Sequence, residues 1–176
     1  MEYNRKFVEN KGYEPYLTSK YPDKKLAILT CMDTRLLELL PAALGIKNGD
    51  AKIIKNAGGV IVHPYGSVVR SLLVGILELG VEEVMVIGHT DCGVQGMDGS
   101  EMLDMLVERG IDQQHIDIVR HSGIDLERWL GGFESVESSV HETVRRLKEH
   151  PLMPKDVRIS GFIMDSATGE LTRVEA

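Results

Sequence analysis

The segment Leu26–Arg35, which reads LAILTCMDTR, joins a short apolar run to three chemically distinctive side chains. The run follows Pro22 and Asp23 and has the pattern of a buried strand. Cys31, Asp33 and Arg35 then follow at two-residue steps. A thiol, a carboxylate and a guanidinium at this spacing can meet beyond the end of the strand, so this strand end is the first candidate for a functional site.

Strands and helices alternate along the rest of the chain. Further strands are predicted for AKIIKN at 51–56, EEVMVIGH at 82–89 and two short segments around a turn at Gly169. Helices are predicted at 1–16, at 34–45 with Thr34 as N-cap, at 66–80, at 100–110 and at 135–151, whereas 110–132 shows no clear period. This alternation predicts an α/β fold with a mostly parallel central sheet flanked by helices.

Composition indicates an ordinary globular protein. The chain has 176 residues, of which 43% are apolar and 27% charged, so we predict a single domain over residues 1–176. A formal net charge of −7 argues against a nucleic-acid partner. We find neither a membrane-length apolar run nor an apolar signal region, which predicts a cytoplasmic protein that does not bind membranes.

Two cysteines and one histidine fall at the edge of the sheet where ligands bind in such folds. The first strand ends at Cys31 and the third at GHTDCG, Gly88–Gly93. In a reducing compartment, Cys31 and Cys92 favour metal binding or catalysis over a disulfide. Together with His89 they form a Cys2His set that suits Zn²⁺, and three protein ligands with an open position are typical of a catalytic zinc site.

Asp33 is the one plausible fourth group, since no further cysteine or paired histidine is found nearby. It can bind the metal itself, or stand beside it and accept a hydrogen bond from a metal-bound water. Arg35 can hold Asp33 in a bidentate pair and keep it ionised. The other histidines are interpreted as surface or core residues: His63, His115, His121, His141 and His150.

Each motif also has an ordinary structural interpretation. A cysteine that ends a strand is commonly a small buried apolar residue, and an exposed Asp–Arg pair is commonly a solvated ion pair. The segment NAGG, Asn56–Gly59, is either a turn after the second strand or backbone held close to a ligand. The combination of motifs at two strand ends of one sheet favours the metal site.

The combination CMDTR, KNAGG and GHTDCG resembles the β-class carbonic anhydrases. That family's pattern, Cys-x-Asp-x-Arg followed by His-x-x-Cys, is met by Cys31, Asp33, Arg35, His89 and Cys92. The resemblance implies reversible hydration of carbon dioxide to bicarbonate and a proton by a zinc-bound hydroxide, with one zinc ion per chain.

The resemblance also implies about four parallel strands with an antiparallel edge strand, and a homodimer or a multiple of it. We expect residues 1–20 to form a helical arm that packs on the partner subunit. The pocket glutamine and aromatic residues of the plant-type members, and the bicarbonate-site residues of the regulated bacterial members, are not found.

Two alternative functions stay open from the sequence. The same zinc site could serve a hydrolase acting on CS2 or COS. A non-catalytic zinc or redox-sensing module could instead use Cys31 and Cys92 as a switch. Such a module has no need of Asp33 and Arg35, which therefore favour an enzyme.

Overall fold

The computed structural model describes residues 1–175 and is organised around one five-stranded sheet. The strands are β1 (Leu26–Cys31), β2 (Ala51–Asn56), β3 (Glu83–His89), β4 (Arg158–Met164) and β5 (Leu171–Val174). Their order is β2-β1-β3-β4-β5. The first four strands are parallel and β5 pairs antiparallel with β4, which confirms the predicted fold class.

The two strands that lead to the candidate site lie side by side in the middle of this sheet. All six residues of β1 are buried, as expected for an apolar strand with neighbours on both sides. Thr30 pairs with Ile87 in the register, and its hydroxyl donates to the Ile87 carbonyl at 2.8 Å. The buried hydroxyl thus has a partner, and the carboxyl ends of β1 and β3 are fixed beside each other.

Within residues 1–175 the chain forms seven α-helices. They are α1 (Glu2–Glu9), α2 (Leu39–Ala43), α3 (Ser67–Leu79), α4 (Gly99–Glu108), α5 (Gln113–His121), α6 (Leu126–Leu130) and α7 (Val136–Glu149). Helices α3 and α7 cover one face, where Leu72 and Val144 are buried against β-strand residues such as Val84. A Cβ at Gly88 would lie 2.8 Å from side-chain atoms of Val136, so glycine lets α7 approach β3 closely.

The other face is covered by the segment that follows β1. Leu36 and Leu40 are fully buried in this second cluster of core residues. The predicted helix at 34–45 is only partly correct, because a 3₁₀ turn at Thr34–Leu36 precedes α2. Asp33, not Thr34, caps this turn by accepting a hydrogen bond from the Arg35 backbone N–H at 2.9 Å. The carboxylate one residue earlier can reach that N–H, which leaves Thr34 inside the turn.

The region without clear periodicity forms two short helices, α5 and α6. With α4 they make a small separate cluster around Leu103, Ile116 and Leu126.

The N-terminal helix α1 is shorter than predicted and buries none of its residues. Within residues 1–175, no helix combines the length and the apolar character needed to cross a membrane.

Candidate metal centre

Cys31, His89 and Cys92 converge at the carboxyl edge of the sheet. Cys31 ends β1, His89 ends β3 and Cys92 lies in the turn that follows. Their potential ligand atoms lie within 4.8 Å of one another, and the two sulfur atoms are 3.9 Å apart. All three residues are buried, and in the described part of the chain they are the one such group of at least three potential ligands. The other histidines lie outside it.

The hydrogen bonds of His89 leave one ring nitrogen available for a metal. Its Nδ1 lies 2.9 Å from the carbonyl oxygen of Thr90. A carbonyl can only accept, so Nδ1 carries the proton and Nε2 presents a lone pair. Among the described residues, His89 Nε2 is the one buried side-chain nitrogen or oxygen atom without a hydrogen-bond partner. A histidine oriented through Nδ1 with a free Nε2 is the usual arrangement of a metal ligand.

The two thiols complete a donor set that fits zinc. Burial raises the pKa of the Cys92 thiol, and the neighbouring Cys31 raises it further, so two adjacent thiolates are disfavoured without a compensating charge. A divalent cation reverses this effect because it stabilises both thiolates. Sulfur and imidazole donors are the ligands that zinc prefers, and the orphaned Nε2 of His89 supports a metal in this position.

The turn between His89 and Cys92 is fastened to β4. The backbone N–H of Thr90 donates to the carbonyl of Met164 at 3.0 Å. The Thr90 hydroxyl accepts from the backbone N–H of Ser166, also at 3.0 Å. These bonds extend the pairing of β3 with β4 by one residue, and they fix the backbone that carries two of the three candidate ligands.

The segment Asn56–Gly59 forms a turn packed against the end of β1. The Asn56 carbonyl accepts from the backbone N–H of Met32 at 2.9 Å. Gly59 has a φ of +66°, and a Cβ there would lie 2.9 Å from the carbonyl carbon of Thr30. Glycine is required at this position both by its conformation and by the close backbone, so this turn supports Cys31 from the side of β2.

Asp33 and Arg35 form a bidentate ion pair beside the three candidate ligands. Arg35 donates from Nε to Asp33 Oδ1 at 3.0 Å and from Nη2 to Asp33 Oδ2 at 2.8 Å. These hydrogen bonds hold the pKa of Asp33 well below its usual range and raise that of Arg35. Asp33 Oδ2 is 3.9 Å from His89 Nε2, so the carboxylate stands next to the candidate metal position while it is bound to Arg35.

Two residues of the site were not identified from the sequence. Asp91 accepts hydrogen bonds from the guanidinium of Arg35, and its position inside HTDC was the one available signal. Lys55 reaches the same region from β2 and donates to the Leu36 carbonyl at 3.1 Å. Burial lowers the pKa of Lys55, and the nearby Cys31 and Asp33 oppose that shift. Lys55 therefore adds positive charge beside a thiol-rich site.

Sequence and structure comparisons define the class of protein. Residues 26–171 match the model of a family described as carbonic anhydrase. The protein named "Putative carbonic anhydrase YvdA" from Bacillus subtilis (strain 168) is 52% identical over 171 residues, covering 97% of this chain and 87% of the relative. A carbon disulfide hydrolase from Acidithiobacillus thiooxidans is 31% identical over 158 residues, covering 85% of this chain and 76% of the relative.

A solved structure supports the same class. The β-carbonic anhydrase isoform I of Trichomonas vaginalis superposes with a TM-score of 0.87 at 35% identity, covering 98% of this chain and 93% of that one. The fold and the Cys2His group thus define an α/β protein with a zinc-type site at the edge of its sheet. This chain belongs to the β-carbonic anhydrase family, as the sequence motifs predicted.

Proposed function

We propose that this protein catalyses the reversible hydration of carbon dioxide to bicarbonate and a proton. One zinc ion per chain is held by Cys31, His89 and Cys92, with Asp33 and Arg35 beside it. The observation that carries the proposal is the unpartnered, buried Nε2 of His89, which faces two thiols and lies 3.9 Å from a carboxylate. Family membership and the carbonic anhydrase name of the YvdA relative support it.

The residues around the metal position have separate tasks in this reaction. Zinc, when bound, lowers the pKa of a water molecule so that it becomes a nucleophile toward carbon dioxide near neutral pH. Asp33 accepts a hydrogen bond from the attacking water and orients its lone pair toward the apolar substrate. Arg35 keeps Asp33 ionised and bound on its own side. Released from Arg35, Asp33 can occupy the open metal position as a fourth ligand and close the site.

Stopped-flow measurement of carbon dioxide hydration on zinc-quantified protein tests the proposal. We expect activity proportional to the zinc content and its loss in a Cys92→Ser variant. A His115→Ala variant, which changes an exposed histidine of α5, serves as the matched control and keeps both zinc and activity. A zinc-loaded wild-type protein with no hydration activity over a range of pH would refute the proposed function.

Hydrolysis of CS2 or COS is the second candidate activity. A relative named carbon disulfide hydrolase, at 31% identity, favours it, but the relative named carbonic anhydrase is more similar at 52%. Carbon dioxide, CS2 and COS are all linear molecules that are attacked at carbon. The same residues would therefore serve each reaction, and only the access path would differ. Measuring hydrogen sulfide release from CS2 beside carbon dioxide hydration, on one zinc-matched sample, separates the two candidates.

A non-catalytic zinc or redox module is the weaker alternative. Such a site needs Cys31 and Cys92 but neither the ion pair of Asp33 with Arg35 nor an open position. The bidentate geometry of that pair, next to the candidate ligands, supports an enzyme instead. A variant of Asp33 or Arg35 that leaves every measurable property unchanged would favour the module.

The protein also presents apolar surface that suits a homodimer. Leu77 on α3 is 70% exposed, and Tyr65 and Trp129 are also exposed. A groove of about 810 Å³, with Val62, Ile124 and Trp129 among its lining residues, provides further apolar surface. Apolar surface of this kind commonly marks a protein–protein interface. We propose that two copies associate through it, and that the assembly works in the cytoplasm.

The N-terminal arm is proposed to complete this dimer. Helix α1 buries no residue in its own chain although it carries Tyr3, Phe7 and Val8. An isolated helix of eight residues is unstable in water without tertiary contacts. We therefore propose that residues 1–20 pack on the partner subunit. We also propose that residues 1–176, including this arm, form a single domain.

A further inference from the structure

Asp91 lies between two of the candidate metal ligands and contacts Arg35 through two acceptor atoms. Its Oδ2 accepts a hydrogen bond from Arg35 Nη1 at 2.8 Å. Its backbone carbonyl accepts from Arg35 Nη2, also at 2.8 Å. The Asp91 side chain is 85% exposed, so it adds little to the packing of the turn. The proposed reaction assigns no task to this residue.

The backbone at Asp91 does not by itself account for a carboxylate. Asp91 has a φ of +54°, in the left-handed region. Glycine adopts this conformation without strain and asparagine tolerates it as well as aspartate does. The turn would therefore form equally well with either of these residues. What the carboxylate adds is its charged hydrogen bond to Arg35.

The planar guanidinium of Arg35 lies between two carboxylates. Its Nε and Nη2 face Asp33, and its Nη1 faces Asp91. The donors of a guanidinium are fixed relative to one another, so a bond at Nη1 restricts the orientation of Nε and Nη2. A contact on the Asp91 side thus determines how firmly Asp33 is held on the other side.

We propose that Asp91 is a positioning residue that anchors Arg35 and so keeps Asp33 away from the open metal position. The proposal rests on the proposed function, because it assigns Asp33 the closing movement described above. Loss of Asp91 leaves Arg35 with one carboxylate partner and more rotational freedom. Asp33 then competes better for the metal, and the open state is less populated. Asp91 touches neither the substrate nor the metal in this scheme and acts through Arg35.

Access to the metal can be measured without the reaction. We replace zinc by cobalt(II), follow its visible absorption and titrate with azide at one fixed pH. In Asp91→Gly, azide should bind about fivefold more weakly, the size of effect expected from an exposed charge pair. Asp91→Asn, which keeps a neutral acceptor, should lie between Gly and wild type. If Asp91 were needed only to form the turn, azide affinity would not fall in Asp91→Gly, because glycine fits the turn.

The Asp33→Ala background separates positioning from a direct effect of charge. Removing the negative charge of Asp91 should by itself strengthen azide binding, which is opposite to the expected change. With Asp33 absent, Asp91→Gly should no longer weaken azide binding. Equal azide affinity in wild type and Asp91→Gly, or the same weakening in the Asp33→Ala background, would overturn the proposal. Failure of the proposed function would be seen in a different measurement, the stopped-flow assay, in which zinc-loaded wild type would not hydrate carbon dioxide.

Discussion

Asp33 Oδ2 lies 3.9 Å from His89 Nε2, yet no hydrogen bond joins these two atoms. The carboxylate is bound to Arg35 instead, and the imidazole nitrogen is left without a partner. An anion and a lone pair held this close to each other need a positive charge between or beside them. Arg35 supplies one such charge, and a metal ion bound by His89 would supply the other.

Loss of Cys92 should empty the metal site. A serine hydroxyl is a poor zinc ligand, so Cys92→Ser leaves two strong ligands. We expect zinc affinity to fall by more than the roughly 10–100-fold that loss of an outer hydrogen-bond partner costs. Elemental analysis after gel filtration measures the zinc per chain. Full zinc content in Cys92→Ser would contradict the ligand assignment.

Loss of Arg35 should close the site without emptying it. In Arg35→Ala, Asp33 loses its bidentate partner and the metal becomes its main attractor. We expect hydration activity to fall at least about tenfold at neutral pH, since bonds between charged groups contribute about 1.5–3 kcal/mol each. Zinc content should stay near the wild-type value because the ligand set gains a member. A pH–rate profile like that of the wild type would exclude this gating role.

Loss of Asp33 should have a different effect. Arg35 lowers the pKa of Asp33, so this carboxylate stays ionised throughout the neutral range and does not itself titrate there. In the wild type, a rise of activity with pH would then have two sources, namely ionisation of the water that zinc activates and hydroxide competing with Asp33 for the open position. Asp33→Ala should retain zinc and part of the activity, with a flatter pH profile. Stopped-flow rates between pH 6 and about 9 on zinc-matched samples provide the test. An unchanged, steep profile would argue against competition by Asp33.

Glu142 should stabilise the fold in a pH-dependent way. It joins Arg145 and Arg146, and Arg146 also donates to the Ile61 carbonyl at 2.7 Å, just beyond the turn that supports Cys31. Hydrogen bonds from Arg145 and Arg146 lower the pKa of Glu142 from 4.5 to about 2. Because the folded pKa is the lower one, the stabilisation is complete above pH 4.5 and is lost as the pH falls toward 2.

The corresponding variant is Glu142→Gln. Since the Glu142 side chain is 38% exposed, solvent screening limits the expected loss of unfolding free energy at pH 7 to about 1 kcal/mol. The loss should shrink as the pH is lowered. Urea unfolding at pH 7 and at pH 3 measures both values. Glu108→Gln, at the exposed end of α4, is the control and should change neither. A loss that is larger at low pH would contradict the assignment.

Disruption of the apolar face should separate the proposed dimer. Leu77→Glu places a charge on the exposed apolar surface of α3, whereas Met105→Glu places one on an exposed residue of α4 that does not line the groove. We expect light scattering at micromolar concentration to report a dimer for the wild type and for Met105→Glu, and a monomer for Leu77→Glu. A monomeric wild type would contradict the proposed assembly.

The candidate ligands could be predicted because their positions follow from local patterns. An apolar run that ends at Cys31 and another that ends at His89 predict neighbouring strand ends, and the sheet confirms this. Asp91 could not be predicted in the same way. Its contact with Arg35 joins residues 56 positions apart and depends on a left-handed backbone that aspartate adopts only occasionally. Such a contact is set by tertiary structure and leaves no periodic signal.

The sequence does not predict the helices in 110–132, for a related reason. Helices α5 and α6 are short, and each presents few apolar residues to a small cluster that includes Ile116 and Leu126. Their clearest sequence signals are the capping aspartates Asp112 and Asp125, which accept hydrogen bonds from the first helical turns. Two caps without a long apolar stripe are weak evidence, because aspartate is also common in loops.

The turn at Thr90 is attached to β4, which is synthesised after all three candidate ligands. The ribosome makes Cys31, His89 and Cys92 well before Met164 and Ser166, which hold the turn through Thr90. A nascent chain therefore carries all three candidate ligands for some time before the backbone that supports them is complete. A message truncated before β4 would yield a polypeptide that contains every candidate zinc ligand but lacks the backbone that fixes the turn between His89 and Cys92.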